Sequence, residues 1–292
     1  MKRVGVVTDS HSGITQIQAK EMGIYVLPMP FSINGKDYLE DVTLSRNKFF
    51  QLLAEGAEVS TSQPSPADVT GIWNKALAEF EEIVYIPISS GLSGACMTAM
   101  ALSGGKSYQG KVFVVDNGRV STPMRRSVMD ALELIQEGYS ASQIKQMLET
   151  AKARMQIYVA VDTLEYLQKG GRISRTTAAI GTMMNIKPVL KFDIGSLDTY
   201  KKCRGFGLAK KAMIEAMRHD LETVYAKEMI KDEVYLLAAS SASDEVTAKW
   251  VQEIKAAIPG MEVLCDNLAL GISCHIGPNG LGIGCSCRPK RI

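Results

Sequence analysis

The chain has 292 residues, 46% hydrophobic and 22% charged, which places it among folded globular proteins with room for one large domain or two ordinary ones. Its formal net charge is only +2, from 33 basic and 31 acidic residues without a long single-sign block, so an electrostatic footprint for nucleic acid is missing. No run of roughly 20 apolar residues could span a bilayer, and the apolar stretch after Met1-Lys2-Arg3 stops at Thr8, too early for a signal peptide, so the expected location is the cytoplasm.

In chain order, residues 4–7, 83–88 and 111–115 are short, rich in β-branched side chains, and each followed by turn residues and a helical pattern. They read as three βα units of a mainly parallel sheet with crossover helices. Between the first two, residues 24–33 followed by Asn34-Gly35 predict one strand running into a type I′ hairpin, a small β insertion. Ser65-Pro66-Ala67-Asp68 carries a helix start: a capping hydroxyl, proline at the first helical position and an acid in the first turn. Ser140-Ala141-Ser142-Gln143 is an equivalent signal.

From residue 157 the mixture changes. A strand at 157–161 precedes a hairpin, 188–192 and 197–203, turning at Gly195-Ser196; helices at 208–227 and 244–257 flank a strand at 234–239. The predicted fold class is therefore α/β in two domains. Residues 1–155 form a Rossmann-like domain with a mainly parallel sheet and the small β insertion, and 156–292 an α+β domain with a mixed or antiparallel sheet.

Open α/β sheets bind ligands outside the carboxyl ends of their strands, and Ser89-Ser90-Gly91-Leu92-Ser93-Gly94 stands in such a place, closing a strand and opening a helix. Two glycines allow close approach of the backbone, and Ser93 lies near the free amides of the following helix, an arrangement that suits an anion or simply caps the helix. Ser60-Thr61-Ser62, before Gln63-Pro64-Ser65-Pro66, offers the same pair of readings. Arg172, in Gly170-Gly171-Arg172-Ile173-Ser174, and Arg204 are candidates for phosphate or ordinary surface arginines. His275, opening Ile276-Gly277-Pro278-Asn279-Gly280, is held in a tight turn; His11 follows Asp9-Ser10 at a strand end, and His219 belongs to a helix surface. Ile180, Met183 and Met184 recur at helical spacing, as tunnel wall or as core.

Other chemistries lack their signatures. Gly91-Leu92-Ser93-Gly94-Ala95 misses the last glycine of a nucleophile elbow, and neither nucleotide-binding glycine motif is present. Cys274-His275 with Cys285 and Cys287 lacks the paired spacing of a zinc site, and six cysteines dispersed over this length read as reduced thiols.

Taken in order, Thr8-Asp9-Ser10, Thr61-Ser62-Gln63-Pro64-Ser65-Pro66, Ser89 to Gly94, Leu164-Glu165-Tyr166-Leu167 through Ser174, Ile186-Lys187-Pro188 and His275-Ile276-Gly277-Pro278 resemble the DegV family of bacterial fatty-acid-binding proteins. The resemblance implies two domains with one fatty acid buried between them, its carboxylate held by Thr61, Ser62 and Ser93, with Gly94, His275 and Gly277 alongside. It implies a carrier without cofactor or metal, which presents the acid to a separate ATP-dependent fatty-acid kinase making acyl-phosphate for phospholipid synthesis, with transient membrane contact. Arg172 and Arg204 would then meet the kinase or the phosphorylated head. Arg125 and Arg126, and Asn279 after Gly277-Pro278, depart from the family pattern. Two other readings stand beside it: a serine-dependent acyl hydrolase or transferase using Ser93 with His275 as base, and a regulator that senses a small anionic metabolite.

Overall fold

The computed structural model describes residues 2–173 and 186–292. Ser174, Ile180, Met183 and Met184 lie outside them. By the clustering of its internal contacts the chain forms two compact units. One comprises Met1–Ala153, Ala269–Gly271 and Pro289–Ile292; the other comprises Arg154–Leu268 and Ile272–Arg288.

The first unit is organised by a four-stranded, all-parallel sheet in the order β2-β1-β6-β7, with β1 at Lys2–Asp9, β2 at Tyr25–Leu27, β6 at Phe80–Ile86 and β7 at Val112–Val114. Its strands are apolar on both faces, as a sheet covered on both sides requires. Val4, Val6, Val84 and Ile86 pack with Met124, Val128 and Ile144 from α5 (Ser121–Gln136) and α6 (Ala141–Thr150). Val7, Ile83 and Tyr85 pack with Trp73 and Ala99 from α3 (Pro66–Leu77) and α4 (Ala95–Ser103). Trp73 is fully buried and meets Tyr85 and Tyr108 edge-on, with ring centroids 5.5 and 5.2 Å away. The two helix-start signals hold: Ser65 with Asp68, and Ser140 with Gln143, close reciprocal capping boxes on α3 and α6.

The stretch 24–33 is not one strand. It is divided between β2 and β3 (Pro30–Ile33), which pairs with β4 (Lys36–Leu39) and β5 (Val59–Thr61) in a separate antiparallel sheet, β4-β3-β5. Pro28 and Pro30 cannot donate to a ladder, the Met29 amide donates instead to Ser10 Oγ at 3.0 Å, and the Val26 carbonyl accepts from Gln16 Nε2 of α1 (Gln16–Met22) at 3.1 Å. The β3–β4 turn at Asn34-Gly35 has the expected positive φ angles, 50° and 76°. Helix α2 (Arg46–Ala54) joins β4 to β5.

The second unit is a mixed six-stranded sheet, β10-β9-β8-β13-β11-β12. In chain order its elements are β8 (Met155–Ala160), α7 (Glu165–Gly170), β9 (Ile186–Asp193), β10 (Ser196–Arg204), α8 (Phe206–Thr223), α9 (Ala226–Ile230), β11 (Val234–Ser240), α10 (Asp244–Ala257), β12 (Val263–Asn267), α11 (Leu270–Ile276) and β13 (Leu281–Cys287). Among the described strands of this sheet, only β11–β12 is a parallel pair.

Two sequence expectations fail here. Residues 208–227 are not one helix: α8 ends at Thr223, and Tyr225, only 7% exposed, turns into the core with its amide on the Asp220 carbonyl before α9 begins. The glycine-rich end of the chain, read as a turn only, continues into β13, a wholly buried strand between β8 and β11. Gly284 is demanded by its neighbour. A β-carbon on Gly284 would lie 2.8 Å from the Gln156 carbonyl oxygen, and the Gly282 carbonyl accepts the Trp250 indole N–H at 2.9 Å. Among the described residues no helix is long and apolar enough to cross a membrane.

Candidate functional site

β1 and β6 are neighbours whose outgoing connections run to opposite sides of the sheet, to β2 and to β7, so their carboxyl ends flank a topological switch point. From β1 comes Asp9, fully buried, with Oδ1 accepting from the His11 amide at 2.9 Å and Oδ2 from the Ile88 amide at 2.8 Å. One carboxylate thus ties together the turns that leave two adjacent strands. From β6 comes the Ser89–Gly94 turn. The Ser89 amide donates to the Arg119 carbonyl at 2.9 Å, and the Leu92 and Ser93 amides donate to the Ser89 carbonyl at 3.0 and 3.2 Å. Beyond β7, Asp116 accepts from the Ser90 amide at 3.2 Å and its hydroxyl at 2.7 Å, and pairs with Lys152 Nζ at 2.6 Å. Burial pushes the Asp116 carboxyl up, but the hydrogen bonds from Lys152 and Ser90 together outweigh it and hold the group below its ordinary value.

Ser93 is half-buried, and its Oγ accepts from the Ala95 amide at 3.2 Å. It therefore serves the first turn of α4 as an acceptor, which leaves its own O–H to donate elsewhere. The glycines of the turn are not there for left-handed backbone: Gly94 has φ −66°. A β-carbon at Gly94 would instead lie 2.8 Å from Gln63 Oε1, which also accepts from Thr98 Oγ1 at 3.4 Å. Gln63 thereby brings the Thr61-Ser62 segment to the start of α4. Thr61 ends β5 and is half-buried; Ser62 is exposed. Neither is the cap of α3, which is Ser65, while Ser60 bonds Ser32 across the small sheet at 2.7 Å.

A second buried group had no sequence signal. Glu40 follows β4, is 7% exposed, and accepts from Ser10 Oγ at 2.9 Å and from the amides of Leu270 and Gly271. Burial pushes its carboxyl up, opposed by His11 and by these donors. A β-carbon at Gly271 would lie 2.6 Å from His11 Nε2, so any side chain there would displace the imidazole. Arg126 is buried and ion-paired with Asp130 at 2.9 Å and with Glu133, so it is an internal counter-ion, while half-buried Arg125 donates to Gln18 at 3.3 Å.

In the second unit, His275 is half-buried at the end of α11, against Gly170, where a β-carbon would fall 2.0 Å from its Nδ1. Gly277 is buried with φ 75°, and a β-carbon there would lie 2.4 Å from the Tyr166 ring. Ser241 secures this turn, its hydroxyl donating to the Gly277 carbonyl at 2.7 Å and accepting from the Gly280 amide at 2.8 Å. Asn279 is exposed with φ 61°, a conformation asparagine tolerates where glycine is more usual. Arg172 is half-buried, donating to the Gly170 carbonyl, and Arg204 is exposed at the end of β10. Cys274, Cys285 and Cys287 are buried thiols, and no group of three or more metal-ligating side chains occurs among the described residues. His219 is exposed, as expected.

The sequence singled out Thr61, Ser62, Ser93 and His275 as candidates but not the groups that fix the turns around them: Gln63, Asp9 and Asp116 in the first unit and Ser241 in the second. The acids that end β1 and follow β7 were the available signal.

A family model described as an uncharacterised protein of the DegV family matches residues 3–287. A DegV domain-containing protein of Caldanaerobacter subterraneus subsp. tengcongensis is 28% identical over 287 residues, covering 97% of this chain and 98% of its own. Among solved structures, a DegV family protein from Thermus thermophilus, described as fatty acid binding, superposes with TM-score 0.86 at 29% identity, over 98% of this chain and 99% of that one. DegV from Bacillus subtilis, described as a fatty acid binding protein, superposes with TM-score 0.83 at 25% identity, over 98% and 100% of the two chains.

Proposed function

The chain belongs to the DegV family, and on that premise we propose that it carries one long-chain fatty acid, with the carboxylate held by the hydroxyls of Thr61, Ser62 and Ser93 beside Gly94, and with His275 and Gly277 as further candidates. The observation that carries this reading is the state of Ser93: with its oxygen engaged by the Ala95 amide, its O–H remains to donate to an anion at the switch point of a parallel sheet. The contact of Gln63 with Gly94 adds Thr61 and Ser62 to the same loop cluster.

The energetics suit a carrier. At about 0.8 kcal/mol per buried methylene, a 16-carbon tail offers roughly 12 kcal/mol gross, against about 1 kcal/mol net for each neutral hydrogen bond. The tail sets affinity, and the hydroxyls set depth and orientation. A carrier also needs its ligand's head offered to an enzyme, and we assign that step to a fatty-acid kinase that makes the acyl-phosphate, with exposed Arg204 and half-buried Arg172 at the contact. A nucleophilic role for Ser93 has less support, because the turn lacks the elbow's final glycine and the Ser93 oxygen already accepts from an amide.

The test is direct titration with palmitate and oleate. One site per chain is expected, weakened by Thr61→Ala and by Ser93→Ala without loss of the fold. Catalytic turnover of acyl esters abolished by Ser93→Ala would replace the carrier reading with the hydrolase one.

A further inference from the structure

Asp116 is the acid outside the hydroxyl cluster that is most directly built into the candidate turn. Its side chain is 16% exposed and spends both oxygens on that turn and its surroundings: Oδ1 takes the Ser90 amide, and Oδ2 takes the Ser90 hydroxyl and Lys152 Nζ. Ser90 adjoins Ser89, whose carbonyl receives the Ser93 amide. The residue that enters the turn is fixed by Asp9, which accepts from the Ile88 amide. A carboxylate so close to an anion site would repel the ligand were its charge not met by Lys152 and two donors from Ser90.

We propose that Asp116 is a positioning residue for Ser93: neutralised by Lys152 and clamped on Ser90, it sets the turn so that the Ser93 hydroxyl faces the ligand head. This inference rests on the fatty-acid reading above. It assigns Asp116 an effect that passes through Ser93 and not through general stability.

The experiment is a double-mutant cycle on the full chain, with palmitate labelled with carbon-13 at the carboxyl as probe. Ser93→Ala is expected to weaken binding about tenfold and to shift the bound carboxyl resonance. Asp116→Ala is expected to weaken it by a comparable factor and shift the resonance in the same direction, with Asp116→Asn restoring part of both by keeping an acceptor for Ser90. In the Ser93→Ala background, Asp116→Ala should add little. Equal loss in both backgrounds, or a lowered melting temperature with an unmoved resonance, overturns the proposal. If wild-type protein gives no bound carboxyl signal at all, the fatty-acid reading itself fails and the proposal with it; Asp116→Asn also serves where the alanine variant does not fold.

Discussion

The side-chain oxygen of Gln63 lies 2.8 Å from the point where a β-carbon on Gly94 would stand. Gly94 has helical backbone, φ −66°, so alanine is conformationally acceptable there and only the Gln63 amide must move. Because that amide ends a flexible side chain, Gly94→Ala is expected to change stability by less than about 1 kcal/mol while displacing the loop that carries Thr61 and Ser62. Palmitate affinity should fall several-fold with the melting temperature nearly unchanged. Undiminished affinity would separate Gln63 from the site.

Gly170 makes the corresponding test for His275. The β-carbon of Gly170→Ala would sit 2.0 Å from His275 Nδ1, so the imidazole must leave its present position. Gly171→Ala is the control: its φ of 65° strains a side chain, at a cost of about 1 kcal/mol, but nothing lies within 4 Å. Loss of ligand binding in the first variant and retention in the second is expected from titrations run side by side.

Ser241→Ala removes both bonds that close the turn after His275, leaving the Gly280 amide and Gly277 carbonyl without their partner. Buried groups stranded in this way cost about 1–3 kcal/mol. Denaturant unfolding should show that loss, and amide exchange at Gly280 should accelerate. Unchanged exchange would mean that the turn is held by other contacts.

Stability should also carry a pH signature from Asp130, which is 1% exposed. Burial pushes its carboxyl up to about 6, against the pull of Arg126 and Arg119. With the folded value above the unfolded one, the native state binds the proton more tightly, so this contribution is fully present below about pH 4 and is lost as pH rises to about 6. Asp116 has the opposite sign: its lowered value stabilises the fold above about pH 4 and is lost as pH falls through it. Unfolding free energies measured from pH 4 to 7 should therefore fall less steeply with pH in Asp130→Asn than in the wild type.

The parallel half of the fold was legible because its strands are β-branched runs closed by turn residues and two of its helices, α3 and α6, open on capping boxes, all local signals. What escaped was imposed from a distance. β13 is central yet glycine-rich, and at Gly284 the Gln156 carbonyl approaches so closely that a side chain is excluded. Residues 24–33 look continuous but are divided at Pro28 and Pro30 between strands of two different sheets. At the candidate site, the hydroxyls of Thr61 and Ser93 stand out in the sequence, whereas the Glu40 carboxyl that receives the Leu270 amide is separated from it by 230 positions. No spacing rule reaches that far.

The central claim is that Ser93 and its neighbours hold the head of one fatty acid. Native mass spectrometry of the wild-type chain incubated with palmitate or oleate tests it most directly. The account expects a single added mass equal to one acid on each chain, retained less well by Ser93→Ala; an unshifted mass for both acids would contradict it.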